Sequence, residues 1–169
     1  MLKSLAAAGL GMGSEGVVLR EHDPRWCAAF AALAIPGIAL YHVRSKAVPT
    51  LAVKAILDVL GVTESLAAFD ARRAEFVALG FTWEGENGIS GRRYLVLLRE
   101  GITYMHLHVF ALRDPEIAKH FAFRDALIDS PSLPAEYATV KRGLALRYVA
   151  DRVQYTNGKN EFIQRVLAG

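Results

Sequence analysis

The chain is 169 residues long, a length that suits one domain with a core of its own. It is 53% hydrophobic and 22% charged, which excludes a disordered polyelectrolyte, and no run is long and apolar enough to cross a bilayer. Its net charge of +3 and pI near 9.1 are mildly basic, compatible with an anionic small molecule or a nucleic acid and selecting neither.

In chain order, residues 1–16 hold Lys3 and a short apolar segment, Leu5 to Leu10, followed by Gly and Ser. They are expected to form a flexible leader to a single domain over 17–169. Val17 to Arg20 is expected as a short strand. Asp23-Pro24 then caps a helix whose Trp26, Phe30 and Leu33 face inward at helical spacing. Cys27 lies on that Ala-rich helix, where a buried, inert thiol is expected. A lone cysteine forms no internal disulfide and fits a reducing, cytoplasmic setting.

Ile35-Pro36-Gly37 ends the helix, and Ala39 to Val43 reads as a strand. A charged Ser turn at Arg44-Ser45-Lys46, a bend at Pro49 and a short helix lead into a second strand carrying Asp58. A carboxylate inside the apolar run Ile56 to Leu60 is costly to bury unless a positive group pairs with it. If the two strands lie side by side, the Ser45 turn offers phosphate ligands and Asp58 a metal ligand to one cleft. An ion pair of Asp58 with Lys54 or an arginine is the structural alternative.

Thr63 is expected to cap a helix through about Leu79, ended by Gly80, with Phe81 to Glu84 extended. Glu86-Asn87-Gly88 signals a tight turn, and Arg92 to Leu98 pairs with Ile102 to Leu112 across an Arg99-Glu100-Gly101 hairpin. Arg92 and Arg93 point to opposite faces of their strand, so one of them can face the cleft. His106 and His108, two apart on a strand, share a face and can both ligate a metal, or divide between binding a phosphate and orienting it. Three helices follow: Asp114 to about Ile128, Pro134 to about Tyr148, and a last one near Leu167 that Asn157-Gly158 precedes or bends. The order of elements gives an α+β fold, a mixed sheet followed by a helical C-terminal part.

The stretch from His42 to Asp58 resembles the signature of the GrpB family, His-x-Gly-Ser-Thr-(Ala/Ser)-Val-Pro-Gly-Leu-x-x-Lys-Pro-x-x-Asp. His42, Ser45, Val48, Pro49, Leu51, Lys54 and Asp58 match it, whereas Arg44, Lys46, Thr50 and Ala55 depart from it. Later blocks resemble the family in the same order: Glu86 to Tyr94, His106 to Phe110, Phe123 to Leu127, Glu136 to Lys141, and Tyr155 to Ile163. The resemblance implies a nucleotidyltransferase-like sheet and a nucleotide site. Asp58, His106 and His108 would be its catalytic and metal-binding groups. Ser45, Lys54, Arg92, Lys141 and Lys159 would contact phosphate. Arg44 and Lys46, which depart from the signature, either grip phosphate themselves or mark a pocket that no longer takes a triphosphate, with a solvated surface pair as the structural alternative.

The expected function is therefore that of a nucleotide-dependent transferase or ligase, with ATP or another nucleoside triphosphate as substrate, Mg2+ as cofactor and a small-molecule acceptor. An altered turn could also accept a different anionic substrate in specialised biosynthesis. The alternative is a catalytically degenerate module that binds an anionic ligand or a protein partner. Leu60 stands where a second strand carboxylate would be, and no Asp or Glu lies between His106 and Phe110. No phosphate-binding Gly loop, Ser nucleophile elbow or zinc-protease motif is present. Basic and aromatic residues do not interleave as single-stranded nucleic acid binding requires, so neither nucleic acid nor membrane is an expected partner.

Overall fold

A computed structural model of the chain describes residues 1–13, 18–43 and 54–169. Its frame is a five-stranded sheet of β1 (Ala39–His42), β2 (Leu57–Thr63), β3 (Phe81–Trp83), β4 (Arg93–Arg99) and β5 (Ile102–Ala111). The strand order is β1-β2-β5-β4-β3. β2 and β5 run parallel and the other neighbours antiparallel, so the sheet is mixed, as the order of elements predicts. The β4–β5 hairpin turns on Glu100 (φ +52°) and Gly101 (φ +75°), the paired positive φ values that a tight hairpin turn needs.

Side chains alternate along each strand and give the sheet two different faces. Leu57 and Val59, Leu95 and Leu97, and Met105, Leu107 and Val109 are all buried on one face. Against them pack α1 (Leu2–Ala7), α2 (Arg25–Ala31), α3 (Leu66–Ala71) and α4 (Arg73–Ala78), through Leu5, Trp26, Phe69 and Phe76. The other face is polar at Asp58, Tyr94, His106 and His108 and apolar at Leu60 and Phe110. Ile117 and Phe121 of α5 (Pro115–Asp129) pack on that apolar end. The helix starts at Asp114, whose carboxylate accepts from the Glu116 N–H at 2.9 Å, with Pro115 in the first turn. α6 (Leu133–Arg147) and α7 (Arg152–Leu167) complete the helical part. Phe123, Tyr137 and Phe162 join the three helices, with ring centroids 5.4 Å and 4.9 Å apart along that order. Among the described residues no helix is long and apolar enough to cross a membrane.

Several local expectations are corrected. Residues 1–13 of the segment expected as a flexible leader fold instead: α1 inserts Leu5, Leu10 is buried, and Met12 exchanges backbone hydrogen bonds with Thr103 at 3.0 and 2.9 Å. Trp26 donates to the Ala8 carbonyl at 3.0 Å, tying α2 to this segment. Burial of that apolar run offsets the cost of ordering it. Of Val17 to Arg20, the described residues 18–20 form no strand beyond a bridge position at Arg20. Cys27 is exposed, because α2 turns Trp26 and Ala29 inward and the next position along the helix points away.

Thr63 closes β2, and Ser65 supplies the cap through its hydroxyl to Ala68 N–H at 3.2 Å. The expected single helix is split at Arg72 into α3 and α4, which lets Phe69 and Phe76 meet with ring centroids 4.8 Å apart. α7 runs straight through Asn157-Gly158. Gly158 serves close packing there: a Cβ would lie 2.4 Å from Leu144 Cδ2 on α6. The short helix expected between β1 and β2 lies outside the described residues.

Replacing Leu5 by Ala removes a fully buried side chain. It is expected to cost about 2–5 kcal/mol in urea unfolding. An unchanged midpoint would show that the segment is not part of the core.

Candidate functional site

The register of β2 against β5 builds the site. Asp58 stands opposite His106 and Leu60 opposite His108, while β4 sets Tyr94 opposite His108. Because alternate residues share a face, Asp58, His106, His108 and Tyr94 converge on one side of the sheet. Asp58 Oδ1 lies 3.4 Å from His106 Nδ1 and 4.0 Å from His108 Nε2. The three side chains differ in access: 27% of the His106 side chain is exposed and 17% of Asp58, against 5% of His108. His106 is thus the more exposed imidazole, and His108 lies deeper, on the floor.

Arg92 closes the floor. Its Nε donates to the Glu86 carbonyl at 3.0 Å, its Nη2 to the Asn87 carbonyl at 2.5 Å, and its Nη1 lies 3.3 Å from His108 Nδ1. The Glu86-Asn87-Gly88 turn, with Asn87 (φ +44°) and Gly88 (φ +81°) both left-handed, presents those carbonyls. Arg93, the next residue, points to the opposite face and forms a two-pronged pair with Asp70, 2.7 Å at each oxygen. Of the two arginines, then, Arg92 is the one in the cleft.

α6 and α7 supply the wall. The Lys141 ammonium sits 4.8 Å from the centre of the Tyr137 ring, and that of Lys159 4.7 Å from the Tyr155 ring. Lys54, entering β2, reaches the same Tyr155 ring at 4.4 Å, and Arg92 covers Tyr94 at 4.8 Å. Aromatic faces hold cations where water is scarce, and Lys141 is 98% buried beside its ring. The enclosed space is about 520 Å3, within the range of small-molecule sites. Among the described residues, four cations, Lys54, Arg92, Lys141 and Lys159, line it against one carboxylate, Asp58. Tyr155 is buried beneath them. Burial first, then the neighbouring Tyr137 phenol and the Asp58 carboxylate, pushes its pKa far above the ordinary phenol value.

Of the residues singled out in the sequence, Asp58, His106, His108, Lys54, Arg92, Lys141 and Lys159 line this one cleft. Arg44, Ser45 and Lys46 lie outside the described residues. Arg124, on α5, bonds Asp125 and covers the Phe121 ring. The sequence assigned no site role to His120, whose ring centroid is 5.8 Å from that of His108, or to Tyr137 and Tyr155. A signal for the tyrosines was present. Tyr137 and Lys141, and again Tyr155 and Lys159, are four apart, the spacing that lays a lysine over a ring one helical turn back. His120 carried no such signal, since nothing in α5 announces which face meets the sheet.

The geometry defines an α+β protein with a cation-lined cleft at the junction of a mixed sheet and a C-terminal helical group. The model of the family described as "GrpB protein" matches residues 16–168, and the chain belongs to that family. A crystal structure of the conserved protein GrpB from Enterococcus faecalis is similar to it, with a TM-score of 0.80 and 30% identity, over 88% of this chain and 94% of that one. UPF0157 protein YqkA of Bacillus subtilis is 37% identical over 75% of this chain and 37% of its own length. A UPF0157 protein of Pseudomonas aeruginosa is 36% identical over 86% of this chain and 64% of its own length. The chain therefore spans less than two thirds of each of these two relatives, and neither name states a reaction.

The raised Tyr155 pKa has a consequence for alkaline stability. An unfolded phenol ionises near pH 10. The folded one ionises higher, so the stability it contributes is intact below about pH 10 and lost as pH rises through the folded value. Above about pH 10, wild-type unfolding free energy is expected to fall faster than that of Tyr155→Phe, by up to ~1.4 kcal/mol per pH unit. Urea titrations at several alkaline pH values measure the two slopes, and parallel slopes would contradict the assignment.

Proposed function

We propose that the protein is a nucleotide-dependent transferase or ligase that binds a nucleoside triphosphate in the Asp58–Tyr155 cleft. The observation that supports this best is the charge pattern: one carboxylate beside two imidazoles, surrounded by four cations mounted on aromatic rings. A polyphosphate is a ligand whose charge such a wall compensates, and phosphoryl or nucleotidyl transfer depends mostly on positioning and charge neutralisation. The nucleotidyltransferase-like resemblance read from the sequence supports the same class.

Magnesium takes oxygen ligands, commonly one or two carboxylates together with substrate phosphates. Asp58 is one such carboxylate, and among the described residues no group of three or more His, Cys, Asp or Glu is arranged to hold a metal by itself. The donor set therefore fits magnesium delivered with a polyphosphate, with Asp58 as its protein ligand. When bound, the ion supplies charge neutralisation at the phosphates. His106, the accessible imidazole, is placed to take the proton from an acceptor O–H or N–H as its lone pair bonds to phosphorus. The bond to the departing phosphate breaks, and Lys141 and Lys159 hold the charge that leaves with it.

One observation favours a second reading, a module that binds the anion without turnover. Leu60, at the position of a second strand carboxylate, is fully buried. Calorimetry with ATP and CTP, with and without magnesium, separates the two.

For the enzyme, magnesium tightens wild-type binding and Asp58→Asn abolishes that gain. Without metal, Asp58→Asn binds ATP at least as tightly as wild type, because a repelling charge is gone. Lys141→Met, which keeps the side-chain length, is expected to weaken ATP about 10- to 100-fold, the worth of a charged hydrogen bond. Binding that ignores magnesium in both proteins supports the module, and no binding of either nucleotide overturns both readings.

A further inference from the structure

The contact between Arg92 and His108 determines more than packing. A guanidinium has five N–H donors and no acceptor. With Arg92 Nη1 at 3.3 Å, His108 Nδ1 must therefore be the acceptor, and its lone pair points at the arginine. Arg92 is itself held in place by the Glu86 and Asn87 carbonyls, so this donor is fixed by the backbone of the turn. An imidazole whose Nδ1 accepts carries its hydrogen on Nε2, and Nε2 is the atom that faces Asp58 Oδ1, 4.0 Å away. Also near the ring, among the described residues, are the Tyr94 phenol ring at 5.0 Å, His120 at 5.8 Å and, beyond Asp58, His106.

We propose that Arg92 locks His108 as the Nε2–H tautomer, which aims an N–H at the Asp58 carboxylate across 4.0 Å, beyond hydrogen-bond distance, and makes His108 an electrostatic partner of Asp58 rather than a metal ligand or proton acceptor. The two histidines then divide the work. His108, with its side chain 5% exposed, faces Asp58 from the floor, while His106, 27% exposed, is the imidazole offered to a ligand. This separates two residues that the sequence presents as equivalent members of a His-x-His pair. Arg92 leaves the phosphate-contacting set and becomes a positioning residue that acts through His108. The tautomer is independent of what the cleft binds. Only its effect on ATP affinity rests on the function proposed above.

Long-range nitrogen–proton correlation spectra of the imidazoles test the tautomer in the wild-type protein at neutral pH. The expected result is a pyrrole-type, protonated Nε2 and a pyridine-type, bare Nδ1 on His108. A protonated Nδ1, alone or together with Nε2, overturns the proposal. In Arg92→Met the Nδ1–H tautomer is expected to gain population, and an unchanged spectrum in a folded variant overturns the role given to Arg92. Should that variant fail to fold, the wild-type spectrum still decides the tautomer.

The role of the Nε2–H is read by comparing His108→Gln, whose amide N–H can reach the Nε2 position, with His108→Asn, whose amide reaches only as far as Nδ1. With magnesium present, the Gln variant is expected to bind ATP about two- to tenfold tighter than the Asn variant, the net worth of one polar contact. Equal affinities, or the reverse order, remove that role. If wild type binds no ATP, the function proposed above fails, and the spectra alone decide this inference.

Discussion

The parallel pairing of β2 with β5 is the constraint on which the rest depends. A parallel pair needs a crossover, here the long excursion through α3, α4, β3 and β4, and that excursion brings β5 back beside β2 with Asp58 level with His106. A shift of one residue in that pairing would move Asp58 off the level of the imidazoles and turn one set of polar side chains into the apolar core. Such a slip is opposed by the buried run of Leu57, Val59, Met105, Leu107 and Val109 on the other face. The core thus holds the site in register.

The second requirement is to keep cations close together and half-dry without losing their charge. Each ammonium or guanidinium of the cleft lies over an aromatic ring, and two of the rings, Tyr137 and Tyr155, come from helices that meet where Gly158 admits Leu144. Ring faces offset part of the cost of burying such charges. Among the described residues that line the cleft, cations outnumber carboxylates, and that is the physical basis on which we propose a phosphate site.

Much of this was legible in the sequence and some was not. Strand alternation and turn signals gave β3, β4, β5 and their hairpin, because local periodicity and positive-φ turn residues carry that information directly. Asp58 in an apolar run and the His106/His108 pair likewise announced a polar face. What the sequence does not encode locally is which surface a short element meets. Leu5 reads as part of a leader until Trp26 bonds the Ala8 carbonyl and Thr103 pairs with Met12 on the same segment. Cys27 differs from Trp26 by one position, yet it ends on the open side of α2. Arg92 and His108 sit on different strands, so their donor–acceptor match becomes visible only once the turn at Glu86-Asn87 is seen gripping the guanidinium.

The measurement that bears most directly on the account is a crystal structure of the protein with a non-hydrolysable triphosphate nucleotide and magnesium. The account predicts phosphate oxygens among Lys54, Lys141 and Lys159, the metal on Asp58, and His106 facing the phosphate to be transferred. A nucleotide lodged away from the β2–β5 junction, or phosphates that leave those lysines untouched, would contradict it.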